Sequence, residues 1–162
     1  VGSEMCIRDS VSRDVVDSLH PQVVGWKSIE NAFDFMRYDF RLARSARRFE
    51  PGSENTAGIH GLMGALELLE SVTMEAVTGR VKTLTDYLVR ALAGRGIEVR
   101  SPRGENEWSG IVSFTAPGGD GKAFAEPLEK KGIVVTGRGD FVRVSPHFYN
   151  CEADVDRLLA EL

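Results

Sequence analysis

The chain has 162 residues, 42% of them hydrophobic and 27% charged, with 20 basic and 24 acidic side chains and a net charge of −4. That suits one globular domain with a sizeable core, and the mild acidity excludes a general attraction to nucleic acid or to anionic membranes. No apolar run approaches the length needed to span a bilayer. The two cysteines, Cys6 and Cys151, form neither a disulfide framework nor a metal-ligand cluster, so a reducing, cytoplasmic setting without a bound metal is expected.

The opening Val1-Gly-Ser-Glu-Met-Cys-Ile-Arg-Asp-Ser10 lacks the apolar stretch of a signal peptide. We expect residues 1–10 to be a non-native leader, of the kind found at the ends of translated environmental sequence assemblies. Val23-Val24-Gly25-Trp26 is a short apolar segment ending in a glycine and a large aromatic. Between Ser28 and Phe49, Arg37, Arg41, Arg44 and Arg48 recur at helical spacing among Phe33, Phe35, Tyr38 and Phe40. Asp34, Asp39 and Glu50 interrupt that charge, which favours a solvated helix face or a subunit contact over a nucleic-acid surface.

Pro51-Gly-Ser-Glu-Asn55 is turn chemistry, and Asn55 or Thr56 can cap the helix that follows. Ile59, Leu62, Met63, Leu66 and Leu69 keep the helical period, as do Met74, Val77, Val81, Leu84, Leu88 and Leu92. This predicts two helices, or one bent helix, broken near Ser71 to Thr73 and stopped by Gly94 and Gly96. The period then switches. Ile97–Val99, Ile111–Phe114, Ile133–Val135 and Phe141–Ser145 read as strands, Ala123–Lys130 as a short helix and Glu152–Leu162 as a final amphipathic helix. The order describes an α/β fold in which a small, mostly antiparallel sheet packs against helices and a long helix leads into it.

Alternation in the last strand sends Val142 and Val144 to one face and Phe141, Arg143 and Ser145 to the other. An arginine fixed on a sheet suits a carboxylate, which its planar fork binds through two parallel hydrogen bonds; a surface salt bridge is the competing role. The Gly52-Ser53 loop offers a hydroxyl and a permissive backbone at a helix start, as a phosphate requires, or it only caps the helix. Trp26 brings an apolar ring with one donor, suited to a cofactor edge or to a core.

Taken together, Gly25-Trp26, Arg48-Phe-Glu-Pro-Gly-Ser-Glu-Asn-Thr56 and Val142-Arg-Val-Ser-Pro-His-Phe-Tyr-Asn150 resemble the C-terminal part of class V aminotransferases, from about His20 to Leu162. Those are fold-type I enzymes that depend on pyridoxal 5'-phosphate (PLP). The resemblance implies that residues 11–55 are the tail of a large cofactor-binding domain and residues 56–162 the C-terminal small domain. It assigns Trp26, Gly52 and Ser53 to the PLP phosphate, with Ser53 often serving the partner subunit of a homodimer, and Arg143 to the α-carboxylate of an amino-acid substrate. Arg48 and Glu50 would form a structural ion pair, and His147, Tyr149 and Asn150 would shape the exit from the strand.

No catalytic residue is assigned. The lysine that holds the cofactor as a Schiff base lies before the Gly-Trp segment in such enzymes, and Lys27 stands in a different context. The chain therefore reads as the back part of an enzyme, inactive by itself. Gly132–Asp140 is short and without cysteine, which argues against a cysteine desulfurase and for a transaminase, epimerase or lyase. A non-catalytic α/β dimerisation or ligand-binding module is the alternative.

Overall fold

A computed structural model describes residues 10–162, so most of the expected leader, and Cys6 with it, lies outside the described residues. The chain divides into two compact units, the first ending at Glu67 and the second running Leu68–Leu162.

The first unit has little regular structure before its helix. Ser28 and Ala43 pair through Ala43 N–H to the Ser28 carbonyl at 2.9 Å, Glu30 N–H reaches the Arg41 carbonyl at 2.9 Å, and an antiparallel bridge joins Ile29 to Leu42. The segment between is thus the tip of a hairpin-like excursion. The expected helical face of Arg37, Arg41 and Arg44 does not form, because the backbone groups at the segment's base are spent across the hairpin rather than along a helix. The arginines pair locally instead, Arg37 with Asp39 at 2.8 Å, Arg41 with Asp39 at 3.3 Å and Arg44 with Glu30 at 3.1 Å. A 3-10 turn at Ala46–Phe49 follows, capped by Ser45.

Helix α1 spans Thr56–Val72 and α2 spans Met74–Gly94. Asn55 caps α1, its side-chain oxygen accepting from Gly58 N–H at 3.0 Å. The break falls at Thr73, whose φ of 72° and ψ of 140° no helix can contain, and whose hydroxyl caps α2 at Ala76 N–H, 3.3 Å away. The apolar stripe of α1 is not a core: no residue of that helix is buried, and Ile59, Met63 and Leu66 are exposed.

In the second unit, α2 contributes Leu84, Leu88 and Leu92, four residues apart and fully buried, each stabilising the fold by about 1.5–3 kcal/mol. They pack on a three-stranded antiparallel sheet of β1 (Val112–Thr115), β2 (Thr136–Arg138) and β3 (Phe141–Val144), ordered β1-β3-β2. Helix α3 (Gly121–Lys130) precedes β2, and α4 (Glu152–Leu159) adds Val155, Leu158 and Leu159 to the core. Two expected strands shrink. Val99 makes only an isolated bridge to Phe114. Ile133–Val135 is the extended exit from the αL cap of α3 at Gly132 (φ 73°), and pairing starts at Thr136, opposite Arg143. Beyond Val144 the chain meets Pro146, which can offer no N–H to lengthen the ladder.

Helix α3 sits hard against the β2–β3 hairpin. A Cβ on Gly137 would lie 2.1 Å from the Gly121 carbonyl oxygen, so only glycine permits this approach.

Candidate functional site

Two of the sequence-predicted motifs converge in the first unit. Ser28 is fully buried. Its hydroxyl donates to the Glu50 carbonyl at 3.1 Å and accepts from Gly25 N–H at 3.2 Å, while Ser28 N–H donates to the Gly25 carbonyl at 3.0 Å. One serine therefore closes the turn that carries Trp26 and ties it to the residue preceding Pro51-Gly52. The indole Nε1 of Trp26 lies 3.9 Å from where a Cβ on Gly52 would stand, an ordinary contact distance that puts the ring edge beside the glycine loop.

Trp26 is 44% exposed, with Phe33 edge-on at 5.6 Å and Phe35 tilted at 6.4 Å. Among the described residues neither its N–H nor the exposed Ser53 hydroxyl has a protein partner, and both neighbour the Asn55-capped start of α1. Free N–H and O–H donors beside a glycine loop and a helix start fit a phosphate group. The residues present thus fit the phosphate end of PLP.

Lys27 and Arg48 are structural in this arrangement. Lys27 is buried, ion-paired to Glu54, with its Nζ 5.7 Å from the Trp26 ring centre. Arg48 is buried too, but its acid is Asp17 at 3.0 Å rather than the expected Glu50. It also donates to the carbonyls of Ala43 at 2.7 Å and Val16 at 2.8 Å, so each nitrogen of the guanidinium has a partner.

Arg143 lies at the middle of the sheet in the second unit. Val142 points into the core, fully buried, which sends Arg143 to the opposite face, flanked in register by Ser113 of β1 and Thr136 of β2. Its Nε is shut off from solvent and has no partner, and no ion pair reaches its guanidinium among the described residues. A half-buried cation without its anion is costly, and the donors it leaves open match a carboxylate. Ser113 and Thr136 escape a reading by motif; the signal that finds them is strand register.

Behind β3, the turn through His147, Phe148 and Tyr149 stacks its rings, His147 against Tyr149 at 4.8 Å. Asn150 accepts from His147 N–H at 2.9 Å, and Arg80 of α2 clamps the turn's end, donating to the Asn150 carbonyl at 3.1 Å and to both Glu152 oxygens at 2.6 and 2.8 Å. The Arg80 hydrogen bonds, with the backbone N–H at the helix start, pull the Glu152 carboxyl down to about 2. Asp154 is also held below the usual carboxylate range, chiefly by Cys151 N–H and then by Asn150.

The second unit is thus a small antiparallel sheet backed by helices with an open strand-borne arginine, and the first unit carries a glycine loop beside a tryptophan. Residues 10–158 match the family described as Aminotransferase class-V, and the chain belongs to it. It is 27% identical over 154 residues to an uncharacterized aminotransferase, YcbU, of Bacillus subtilis, covering 94% of this chain and 39% of that protein. It is 24% identical over 169 residues to a probable cysteine desulfurase of Borreliella burgdorferi, covering 94% of this chain and 40% of that protein. Among solved structures, the apo cysteine desulfurase of Thermococcus onnurineus superposes with a TM-score of 0.80 at 23% identity, over 93% of this chain and 40% of that one. A C-DES mutant with glycine covalently linked to its PLP cofactor superposes with a TM-score of 0.79, also at 23% identity, over 93% of this chain and 39% of that one. The structural likeness establishes the fold. The chain spans about 40% of the length of the relatives it matches.

The exclusion of cysteine desulfurases does not survive these findings, since relatives so named align over nearly the whole chain. It rested on one segment, Gly132–Asp140, which folds as a helix cap, an extended exit and a tight hairpin with Gly139 at φ 53°. A short hairpin without a thiol describes that segment; it does not separate this chain from relatives that share its whole scaffold. Nor does a non-catalytic module gain support.

Proposed function

We propose that this chain supplies the substrate-carboxylate contact and part of the cofactor-phosphate contact of a PLP-dependent class V enzyme acting on an amino acid. Transamination and carbon–sulfur chemistry both stay within that reading, because relatives bear names of both kinds. The observation that carries it is the unpaired, half-buried guanidinium of Arg143 on the outward face of β3.

In this reading Arg143 receives the α-carboxylate in two parallel hydrogen bonds, with the Ser113 and Thr136 hydroxyls beside it. The Trp26 N–H donates to the cofactor phosphate, with Gly52 beside it, and the Ser53 hydroxyl donates to the phosphate in the site of the opposite subunit. When bound, PLP provides the electron sink for bond breaking at the amino acid's α-carbon. Residues 11–55 belong to the cofactor-binding body and residues 56–162 to the small domain. The enzyme is a cytoplasmic homodimer.

Steady-state kinetics of Arg143→Lys in the whole enzyme test the reading, with sulfide release assayed for cysteine and keto-acid formation for other amino acids. Loss of the planar fork should cut kcat/KM by roughly 30- to 1000-fold, about 2–4 kcal/mol, while PLP occupancy holds. Unchanged kcat/KM would remove Arg143 from the site.

A further inference from the structure

The outward face of the sheet carries a second open guanidinium. Arg138 pairs with Phe141 and Thr136 pairs with Arg143, so Arg138 and Arg143 share that face as diagonal neighbours on adjacent strands. Diagonal positions have side-chain roots roughly 7–8 Å apart, within reach of two long side chains closing on one small molecule. The opposite side of the same hairpin is closed: Gly137 and Val142 face α3 and the core. Neither arginine can be turned inward without breaking that packing.

Among the described residues no acid is ion-paired to either arginine. The strand residues that share it are Ser113, Thr115, Thr136 and Phe141, and none is acidic. Asp140 lies in the hairpin turn two residues after Arg138, where it could pair with that arginine. It is taken instead by Arg100, which donates to both its oxygens at 2.9 and 2.6 Å. Those bonds hold the Asp140 carboxyl below its ordinary range. Glu98 accepts from the Thr115 hydroxyl at 2.9 Å, at the β1 edge, while Arg138 stands on the opposite edge strand. Arg138 is exposed and has no ion pair or side-chain hydrogen bond among the described residues.

We infer that Arg138 is a specificity-determining residue that binds a second carboxylate, on the side chain of a dicarboxylic amino-acid substrate whose α-carboxylate lies on Arg143. This rests on the reading of Arg143 given above. Two cations on one face repel each other when empty, and a neutral amino acid satisfies only one of them. A dianion with two or three carbons between its carboxylates satisfies both, and each charge-assisted hydrogen bond contributes more than a neutral one. The preference is thus built into the strand register, not into a loop.

The test uses the whole PLP-loaded enzyme, labelled with nitrogen-15 at arginine, following the arginine Nε–H signals during titration with propionate, succinate and glutarate. Succinate or glutarate should shift both the Arg143 and the Arg138 signals and bind at least about tenfold more tightly than propionate, which should shift Arg143 alone. In Arg138→Gln the tenfold preference should vanish with propionate binding unchanged; in Arg143→Gln all three ligands should weaken. Backbone spectra of both variants report whether the fold is kept. Propionate binding at Arg143 with no dicarboxylate preference, or a preference that survives Arg138→Gln, would overturn the inference and leave the Arg143 reading intact. No response at Arg143 to any ligand would overturn both.

Discussion

Gly25 and Pro51 are in backbone contact: a Cβ on Gly25 would lie 1.9 Å from the Pro51 carbonyl oxygen. Twenty-six residues apart, they bring the tryptophan turn onto the glycine loop, and the buried Ser28 holds that meeting through Glu50. Gly25→Ala should therefore force the two segments apart at a cost of about 1–3 kcal/mol, the usual range for overpacking. Trp26 emission and the melting temperature are the readouts. A variant with wild-type stability and unchanged Trp26 emission would mean that the contact is not maintained.

Thr73 holds φ 72° and ψ 140°, a region costly for a β-branched residue, by about 1–3 kcal/mol. Thr73→Gly relieves that strain and loses only a few tenths of a kcal/mol of helix capping, while the unfolded chain gains some freedom. We expect a net gain of about 1 kcal/mol, a rise of roughly 2–4 °C in Tm. A fall in Tm would show that the hydroxyl cap outweighs the strain.

The Arg80–Glu152 clamp makes a pH prediction. Glu152 has a folded pKa of about 2 against an ordinary 4.5, chiefly through its hydrogen bonds with Arg80. A depressed carboxyl contributes stability that is fully present above its unfolded value and is lost as pH falls through the folded one. The difference in Tm between wild type and Glu152→Gln should be constant near neutrality and shrink from about pH 4.5 downward. A difference that stays constant down to about pH 3 would refute the coupling.

Ser53 offers a test of subunit sharing. In the homodimer proposed above, its hydroxyl completes the cofactor site of the opposite subunit. Ser53→Asp repels a phosphate, so it should inactivate the enzyme. Co-expressed with a variant lacking the cofactor lysine, it should recover about half of wild-type activity in mixed dimers, one site of two being intact. Mixed dimers that form and stay inactive would assign Ser53 to its own subunit's site.

Much of this architecture is legible in the residues because their local and tertiary preferences agree. Leu84, Leu88 and Leu92 keep the helical period and are core; Val142 and Val144 alternate with Arg143 and pack as the alternation demands. The arginine run misleads because spacing by three and four cannot reveal that Ser28 and Ala43 claim each other's backbone. The apolar stripe of α1 misleads in the other direction, being periodic yet unburied. Pairing of Arg48 with Asp17, thirty-one residues upstream, is set by tertiary contact and leaves no local trace. Ser113, Thr136 and Arg138 join Arg143 only through register, which sequence alternation leaves free to slip by two.

The central claim is that Arg143 is open because a substrate carboxylate fills it. A crystal structure of the whole enzyme with PLP and a bound amino acid measures this directly. The account predicts the α-carboxylate oxygens paired with the Arg143 guanidinium at about 2.7–2.9 Å in a two-pronged contact. A carboxylate held by another group, with Arg143 left unliganded or paired to a protein acid, would contradict it.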